Sequence, residues 1–319
     1  MLSYAVKRIL WIVPVLLAAS IITFVVMHAA PGSPWNREGR QLRPEVVQRL
    51  NEEFGLNEPL PVQYVKWLGS VLQGDFGLST IPFRTNVNDI IGEAMWPTVQ
   101  LWLMALGLAL VVGVPLGVIA ALRHRTPIDW LATGVAMLGM AAPAFALGAF
   151  LKLWLGAPAF ALDRAPFPAE GWGGPEYWVL PTVALAGLPI AQVARHARAS
   201  MLEVTGADYV RTAHSKGLSE ERVVTRHMFR NALVPLITIA GPLLGVLITG
   251  SIVVEQVFHI PGMGQLYWAA LQQRNYTVVM ALTVIFATAV VLMNAIVDLA
   301  YGIIDPRIRD GVYADAGTI

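Results

Sequence analysis

An all-α protein that crosses a membrane several times is the fold class this sequence predicts, and three observations predict it. Charged residues make up 13% of the 319-residue chain and hydrophobic residues 56%, whereas soluble domains carry about 25% charge. The apolar residues are gathered into runs. Each run is close to the roughly 20 residues that a helix needs to cross a hydrocarbon core of about 30 Å.

The first run, residues 9–30, reads "ILWIVPVLLAASIITFVVMHAA" and has no fixed charge. Further runs cover about 98–122, 130–155, 178–194, 233–254 and 277–304, which predicts six spans. Lys152, Glu255 (just past its run) and Asp298 lie towards run ends, where side chains can reach the interface. The first run exceeds the roughly 7–15 apolar residues of a signal peptide, and no small-x-small cleavage site follows it, so a retained span is expected. Trp11, Trp96, Trp130, Trp178 and Trp268 fall near span ends, as an interfacial aromatic belt does. Pro14, Pro115, Pro143, Pro181, Pro189 and Pro242 interrupt the spans. Gly113–Gly117 and Gly241–Gly245 are GxxxG pairs, which let helices approach closely.

Six spans put both termini on one side. The segments on that side, 1–8, 123–129, 195–232 and 305–319, hold 13 Lys and Arg; the opposite loops, 31–97, 156–177 and 255–276, are longer and hold 8. The positive-inside rule then places the termini in the cytoplasm. The chain divides into a tip and first span (1–30), an extracytoplasmic loop (31–97), a five-span core (98–304, with a cytoplasmic segment at 203–232) and a tail (305–319).

The extracytoplasmic loop reads as two short helices separated by "GLNEPLP". Glu45 and Arg49 stand four apart, a favourable helix pair. Val62, Val65, Leu68 and Leu72 form an apolar stripe beside Tyr64 and Trp67. Such a helix can lie on the membrane surface or on the spans, or it can dock an external protein.

The cytoplasmic stretch "DYVRTAHSKGLSEERVVTRHMFRNALVP", 208–235, is polar, basic and helix-forming. Thr205 or Asp208 can start a helix and Gly217 can end it in a left-handed cap. Ser219 can cap a second helix whose first turn carries Glu220 and Glu221. One side of the first helix offers Tyr209, Ala213 and Gly217. The residues alone leave two readings open: a loop with positive-inside charges, or a knob that sits in a groove of a cytoplasmic partner.

"YVRTAHSKG…HMFRNALVP" resembles the cytoplasmic coupling motif of bacterial ABC importer permeases. In that motif an alanine, three residues and a glycine mark the loop that docks into the ATPase; here these are Ala213 and Gly217. "GLNEPLPVQYVKWL", "GDFGLS", "VVEQVFHIPGMGQLYWAAL", "DLAYGIIDPRIR" and the start "KRILWIVPVLL…PGSP" are similar to the oligopeptide/dipeptide/nickel branch. Asn275 departs from it, standing where that branch commonly has an acidic residue. The resemblance implies a type I ABC importer permease fold in a bacterial inner membrane. It also implies a second homologous permease subunit, two cytoplasmic ATPases that bind ATP and Mg, and an extracytoplasmic substrate-binding protein. Asp208, Tyr209, Arg211, Ala213, Lys216, Gly217 and Leu218 become the expected ATPase-coupling residues.

No GxxxxGK[ST] loop occurs, so ATP hydrolysis is not expected of this chain, nor any cofactor of its own. No HExxH or Gly-x-Ser-x-Gly is present, and the six histidines are dispersed. A net charge of +1 gives no field for nucleic acid. Glu255 and Phe258 are the candidates for the translocation path or outer gate, Glu255 because an acidic group near a membrane pathway is a functional candidate. It can instead pair with backbone N–H groups of the following turn. His259 is read as a turn residue, Asn294 and Asp298 as interhelical hydrogen-bond groups, and Asp305–Arg307 as a helix cap. The expected function is ATP-driven import of di- or oligopeptides by alternating access. Nickel complexes or glutathione-like compounds are alternatives. A stand-alone secondary transporter or channel is the rival class, and neither the coupling-ion carboxylates nor the broken helix near mid-bilayer that it would display is evident in the sequence.

Overall fold

The computed structural model describes residues 2–29, 35, 43–81, 83–156 and 166–304. The tail with Asp305–Arg307 lies outside them, as do the side chains of Trp11 and Asp298. The described chain is helical. Five helices are long and apolar enough to cross a membrane, and a bent pair is a broken sixth span or a re-entrant loop. The chain forms two units, one built mainly from Val99–Ile260 and the other from Leu10–Thr98 and Pro261–Ala289.

Helix α1 is Leu2–Ala29, and α2 (Pro44–Glu53) and α3 (Leu60–Leu72) follow in the first loop. Helix α4 runs from Val87 to Leu122, starting about three turns before the apolar run that marked it. Helices α5 (Pro127–Ala141) and α6 (Ala144–Leu155) make up the expected third span, but they meet at 101°. The cause is Pro143: it lacks an N–H, and its ring forces Ala142 out of the helical region, to φ −88° and ψ 117°. The sequence marks Pro143 as an interruption, and here it breaks the run into two helices.

Helix α7 (Pro175–Thr205) continues well past its apolar run, and α8 (Asp208–Ser215) and α9 (Glu220–Arg222) follow. A π-helical turn at Val223–Met228 leads into α10 (Phe229–Thr238). Helix α11 is Ala240–Phe258, α12 is Met263–Gln272 and α13 is Tyr276–Ile304. The expected fifth span, 233–254, is interrupted at Ile239, and its membrane-length part is Gly241–Phe258.

The core of the larger unit gathers Leu101, Ala105, Leu180, Ala184, Leu247 and Phe258. A seam of small residues joins α4 to α7. A Cβ at Gly113 would sit 2.8 Å from the Ile190 carbonyl oxygen and 2.9 Å from Val193 Cβ, and one at Gly117 would meet the Ala194 carbonyl more closely still. These glycines let two backbones touch, as the GxxxG reading requires. The second pair is only half used: Gly241 lies against Asn294, while nothing stands within 4 Å of a Cβ at Gly245. Asn294 makes that packing contact in place of the interhelical hydrogen bond expected of it.

In the other unit, α3 packs on α1 through Tyr64, whose hydroxyl shares a 2.8 Å hydrogen bond with Ser20 Oγ and whose ring meets Phe24. Val62, Val65 and Leu72 remain exposed, so the apolar stripe faces outward. Among the described residues the ion pairs here are Glu58–Lys66 and Glu53–Arg84, in place of Glu45–Arg49. Asn275 is buried, at 1% exposure, and ties the chain segment before α4 to the start of α13. Its Nδ2 donates to Ser79 Oγ at 2.7 Å and to the Ile81 carbonyl at 2.9 Å, and Thr80 N–H donates to its Oδ1 at 3.4 Å.

Candidate functional site: the cytoplasmic elbow

Eight residues make a marginal helix in water, so α8 depends on what it packs against. Val210 and Ala213, at 2% and 4% exposure, enter a cluster with Ala121 at the end of α4, Met201 on α7, and Val223, Met228 and Ala232 beyond the elbow. The expectation placed Tyr209 on the packed side. Instead Val210 takes that place and Tyr209 is 42% exposed. Successive helix positions differ by about 100°, so turning Val210 inward turns its neighbour out.

The helix start is not capped by a side chain. Ala207 occupies the capping position, and Asp208 is the first helical residue. Thr205 Oγ1 instead donates to the Met201 carbonyl. The carboxylate of Asp208 still lies at the positive end of the helix dipole. At the other end, Gly217 N–H donates to the His214 carbonyl (2.9 Å) and Leu218 N–H to the Ala213 carbonyl (3.4 Å). Gly217 has φ +71°. This is a Schellman cap, and Leu218 closes it by packing on the cluster that holds Ala213. The alanine–glycine spacing thus follows from local chemistry: the alanine accepts the cap bond while buried, and four residues later the chain must turn left-handed.

His214 links the two arms. Its Nδ1 lies 3.0 Å from the Val210 carbonyl oxygen and its Nε2 lies 3.0 Å from Glu220 Oε2. Ser219 holds the capping position of α9 without a side-chain bond. Asp208, Arg211 and Lys216 are exposed, as are His214 and Gly217. The elbow therefore has one buried apolar side, fixed to the ends of α4 and α7, and one exposed side rich in charge with a single large ring at Tyr209.

A buried polar cluster that no local sequence pattern announces braces the helices beside the elbow. Asp129, at 5% exposure, accepts from Arg198 Nε (2.7 Å) and Nη2 (2.9 Å) and from Arg125 N–H (3.0 Å). His124 Nδ1 lies 3.2 Å from the same carboxylate. The two-pronged guanidinium contact locks α5 to α7.

At the other end of α11, Glu255 and Phe258 are both buried, at 0% and 1% exposure. Phe258 belongs to the main core, where its ring approaches Gly148 on α6. Ile260 N–H and His259 N–H both turn back to the Glu255 carbonyl, and His259 adopts the left-handed conformation, φ 50°. The turn role read for His259 is thus what the backbone shows. Lys152 Nζ donates to the Val257 carbonyl at 3.0 Å and to Glu170 Oε1 at 2.5 Å. That ammonium holds the Glu170 carboxyl below the usual glutamate range, with His259 adding to the effect.

Residues 113–310 match the family described as binding-protein-dependent transport system inner membrane component, and residues 1–82 match its N-terminal companion family. The dipeptide transport system permease protein DppB of Bacillus subtilis is 40% identical over 97% of this chain and 98% of its own length. The oligopeptide permease OppB of Haemophilus influenzae is 40% identical over 97% and 100%. The glutathione permease GsiC of Escherichia coli K12 is 37% identical over 97% and 99%. Among solved structures, an inward-facing methionine ABC transporter, MetNI, superposes with a TM-score of 0.58 at 17% identity, covering 68% of this chain and 96% of that one, which shows a shared fold. A helix broken at Pro143 thus belongs to an importer-type permease here and is no mark of a stand-alone carrier. By its matched length and by these relatives, the chain belongs to the inner-membrane component family of binding-protein-dependent transport systems.

Proposed function

We propose that this chain is the permease subunit of an ATP-driven importer of di- and oligopeptides. It lies in a bacterial inner membrane with both termini in the cytoplasm. A second homologous permease completes the path. Two ATPases bind ATP and Mg beneath it, and an extracytoplasmic binding protein delivers the substrate. The observation that carries this reading is the two-sidedness of α8. Its inner face is fixed by Val210 and Ala213 to the ends of α4 and α7, while Tyr209, Arg211 and Lys216 face out and are free to meet an ATPase groove.

Closure of the two ATPases on ATP pushes the elbows together and turns the spans outward; hydrolysis resets them. Reversing a conformational equilibrium from 1:99 to 99:1 takes about 5.5 kcal/mol of differential binding, which nucleotide-driven closure supplies and a bare loop cannot. Glu255 and Phe258 serve the outer gate in this reading as buried residues that set how the end of α11 packs. The peptide assignment draws on the dipeptide and oligopeptide relatives.

The test is uptake into proteoliposomes holding the whole complex, with labelled dipeptide and with glutathione. ATP-dependent dipeptide uptake that needs the binding protein supports the reading. Uptake by this chain alone without ATP overturns it, and uptake of glutathione with no dipeptide uptake moves the substrate to the glutathione class.

A further inference from the structure

The unit built from Leu10–Thr98 and Pro261–Ala289 contains a cleft of about 480 Å³ between α1, α2, α3, the 76–80 segment and the start of α13. Three polar atoms of its lining residues are shielded from solvent and have no hydrogen-bond partner: Glu58 Oε2, Trp67 Nε1 and Thr80 Oγ1. They are three of five such side-chain atoms among the described residues. Thr80 is 7% exposed. A buried polar atom left unpaired costs about 1–3 kcal/mol, so three around one cleft point to a ligand that satisfies them.

Their chemistry narrows what that ligand is. Glu58 Oε2 can only accept when ionised, the indole N–H can only donate, and the threonine hydroxyl can do either. Glu52, Glu53 and Glu58 line the cleft; Glu53 is paired with Arg84 and Glu58 Oε1 with Lys66 at 2.5 Å, so among the described residues Glu52 and the second oxygen of Glu58 are left without a cation. Phe24, Phe54, Trp67 and Tyr276 supply aromatic faces, which attract cations. An ammonium therefore fits beside Glu58, and a carbonyl or carboxylate fits beside Trp67 and Thr80. The cavity lies within the roughly 300–1,000 Å³ of small-molecule sites.

We propose that this cleft is a binding site for the free amino terminus of a short peptide, with the ammonium on Glu58 Oε2 and the adjoining carbonyl or carboxylate on Trp67 Nε1–H and Thr80 Oγ–H. The amine chemistry is read from the cleft. Only the choice of a peptide as its carrier rests on the import reading. The site belongs to the permease chain itself, so it takes peptide without the external binding protein.

The experiment uses the full chain in lipid nanodiscs without binding protein, titrated with alanyl-phenylalanine and with its N-acetylated form. Saturable dipeptide binding is expected, weakened about tenfold or more by acetylation and by Glu58→Gln, which corresponds to about 1.4 kcal/mol. Thr80→Val, which keeps shape and charge, and Trp67→Phe should each weaken it several-fold. Equal binding of the acetylated peptide, or unchanged binding by Glu58→Gln and Thr80→Val together, overturns the site. So does loss of binding-protein association in Glu58→Gln with dipeptide binding intact, because the cleft would then be a lysine-docking surface. The two readings fail separately: ATP-driven uptake with no cleft binding removes this site alone, and cleft binding with no dipeptide uptake removes the import reading alone.

Discussion

Replacing Asn275 by aspartate exchanges a two-hydrogen donor for a second acceptor. Asn275 is the position where the similar branch of permeases commonly carries an acid, and the geometry explains why an amide serves here: the Ile81 carbonyl needs a donor 2.9 Å away. Asn275→Asp should lose that bond and set a carboxylate against a carbonyl, at a cost of about 1–3 kcal/mol. Thermal unfolding in detergent, compared with Asn275→Ala, checks it. Asp129 and Arg198 make the same point more strongly. Asp129→Ala strands a half-buried guanidinium and should cost about 2–4 kcal/mol, a little below a fully buried pair because Arg198 is part-exposed. Arg198→Lys should recover only part of the two-pronged contact. Neither cluster was legible in the sequence. The partners stand 69 residues apart for Asp129 and Arg198 and 196 apart for Asn275 and Ser79, and no local periodicity links positions that far apart.

At the scale of the element, α8 was legible where its chemistry is local and opaque where it is not. Gly217 announces a left-handed turn whatever surrounds it, and Glu220 and Glu221 announce a helix start. Which face packs was not announced, because the surface that selects Val210 over Tyr209 comes from Ala121 and Met201, on other helices. Two substitutions separate backbone from bulk. A Cβ at Gly217 meets nothing within 4 Å, so Gly217→Ala carries only the left-handed penalty, about 1–2 kcal/mol, and Gly217→Asn should carry less. Gly217→Trp should insert into the membrane and fold, yet abolish co-purification with the ATPases. Intact co-purification would remove α8 as the docking element. Ala213→Asp should fail differently, loosening the elbow itself, seen as faster proteolysis between 205 and 230. Pro143 was noticed in the sequence as an interruption, but the depth of its effect was not, since a proline in a span can be bent around by a few degrees or by 101°.

At the scale of the whole molecule, the five membrane-length helices and the bent pair were legible as six apolar runs because the bilayer imposes one length on every span. Where those crossings begin and end was less so. Helices α4 and α7 outrun their apolar segments, since a helix continues in water wherever neighbours cover it. Their shared seam at Gly113 and Gly117 is a prediction at this scale. Gly117→Leu cannot fit against the Ala194 carbonyl and should force the two helices apart, with loss of assembled complex rather than of membrane insertion; size-exclusion chromatography and membrane-fraction blots read the two separately.

The π-helical turn at Val223–Met228 gives the elbow a joint. Val223 and Met228 are both buried although five positions apart, a spacing that at about 100° per residue would point them about 140° away from each other on an α-helix. One surplus residue, wound into the wider turn, brings them to the same side. That surplus is a stored increment of length and rotation between the docking knob and the fifth crossing. Removing exposed Thr225 should therefore leave both flanking surfaces aligned and the chain inserted, but shorten and rotate the link between knob and crossing, with ATP hydrolysis continuing at reduced uptake per ATP.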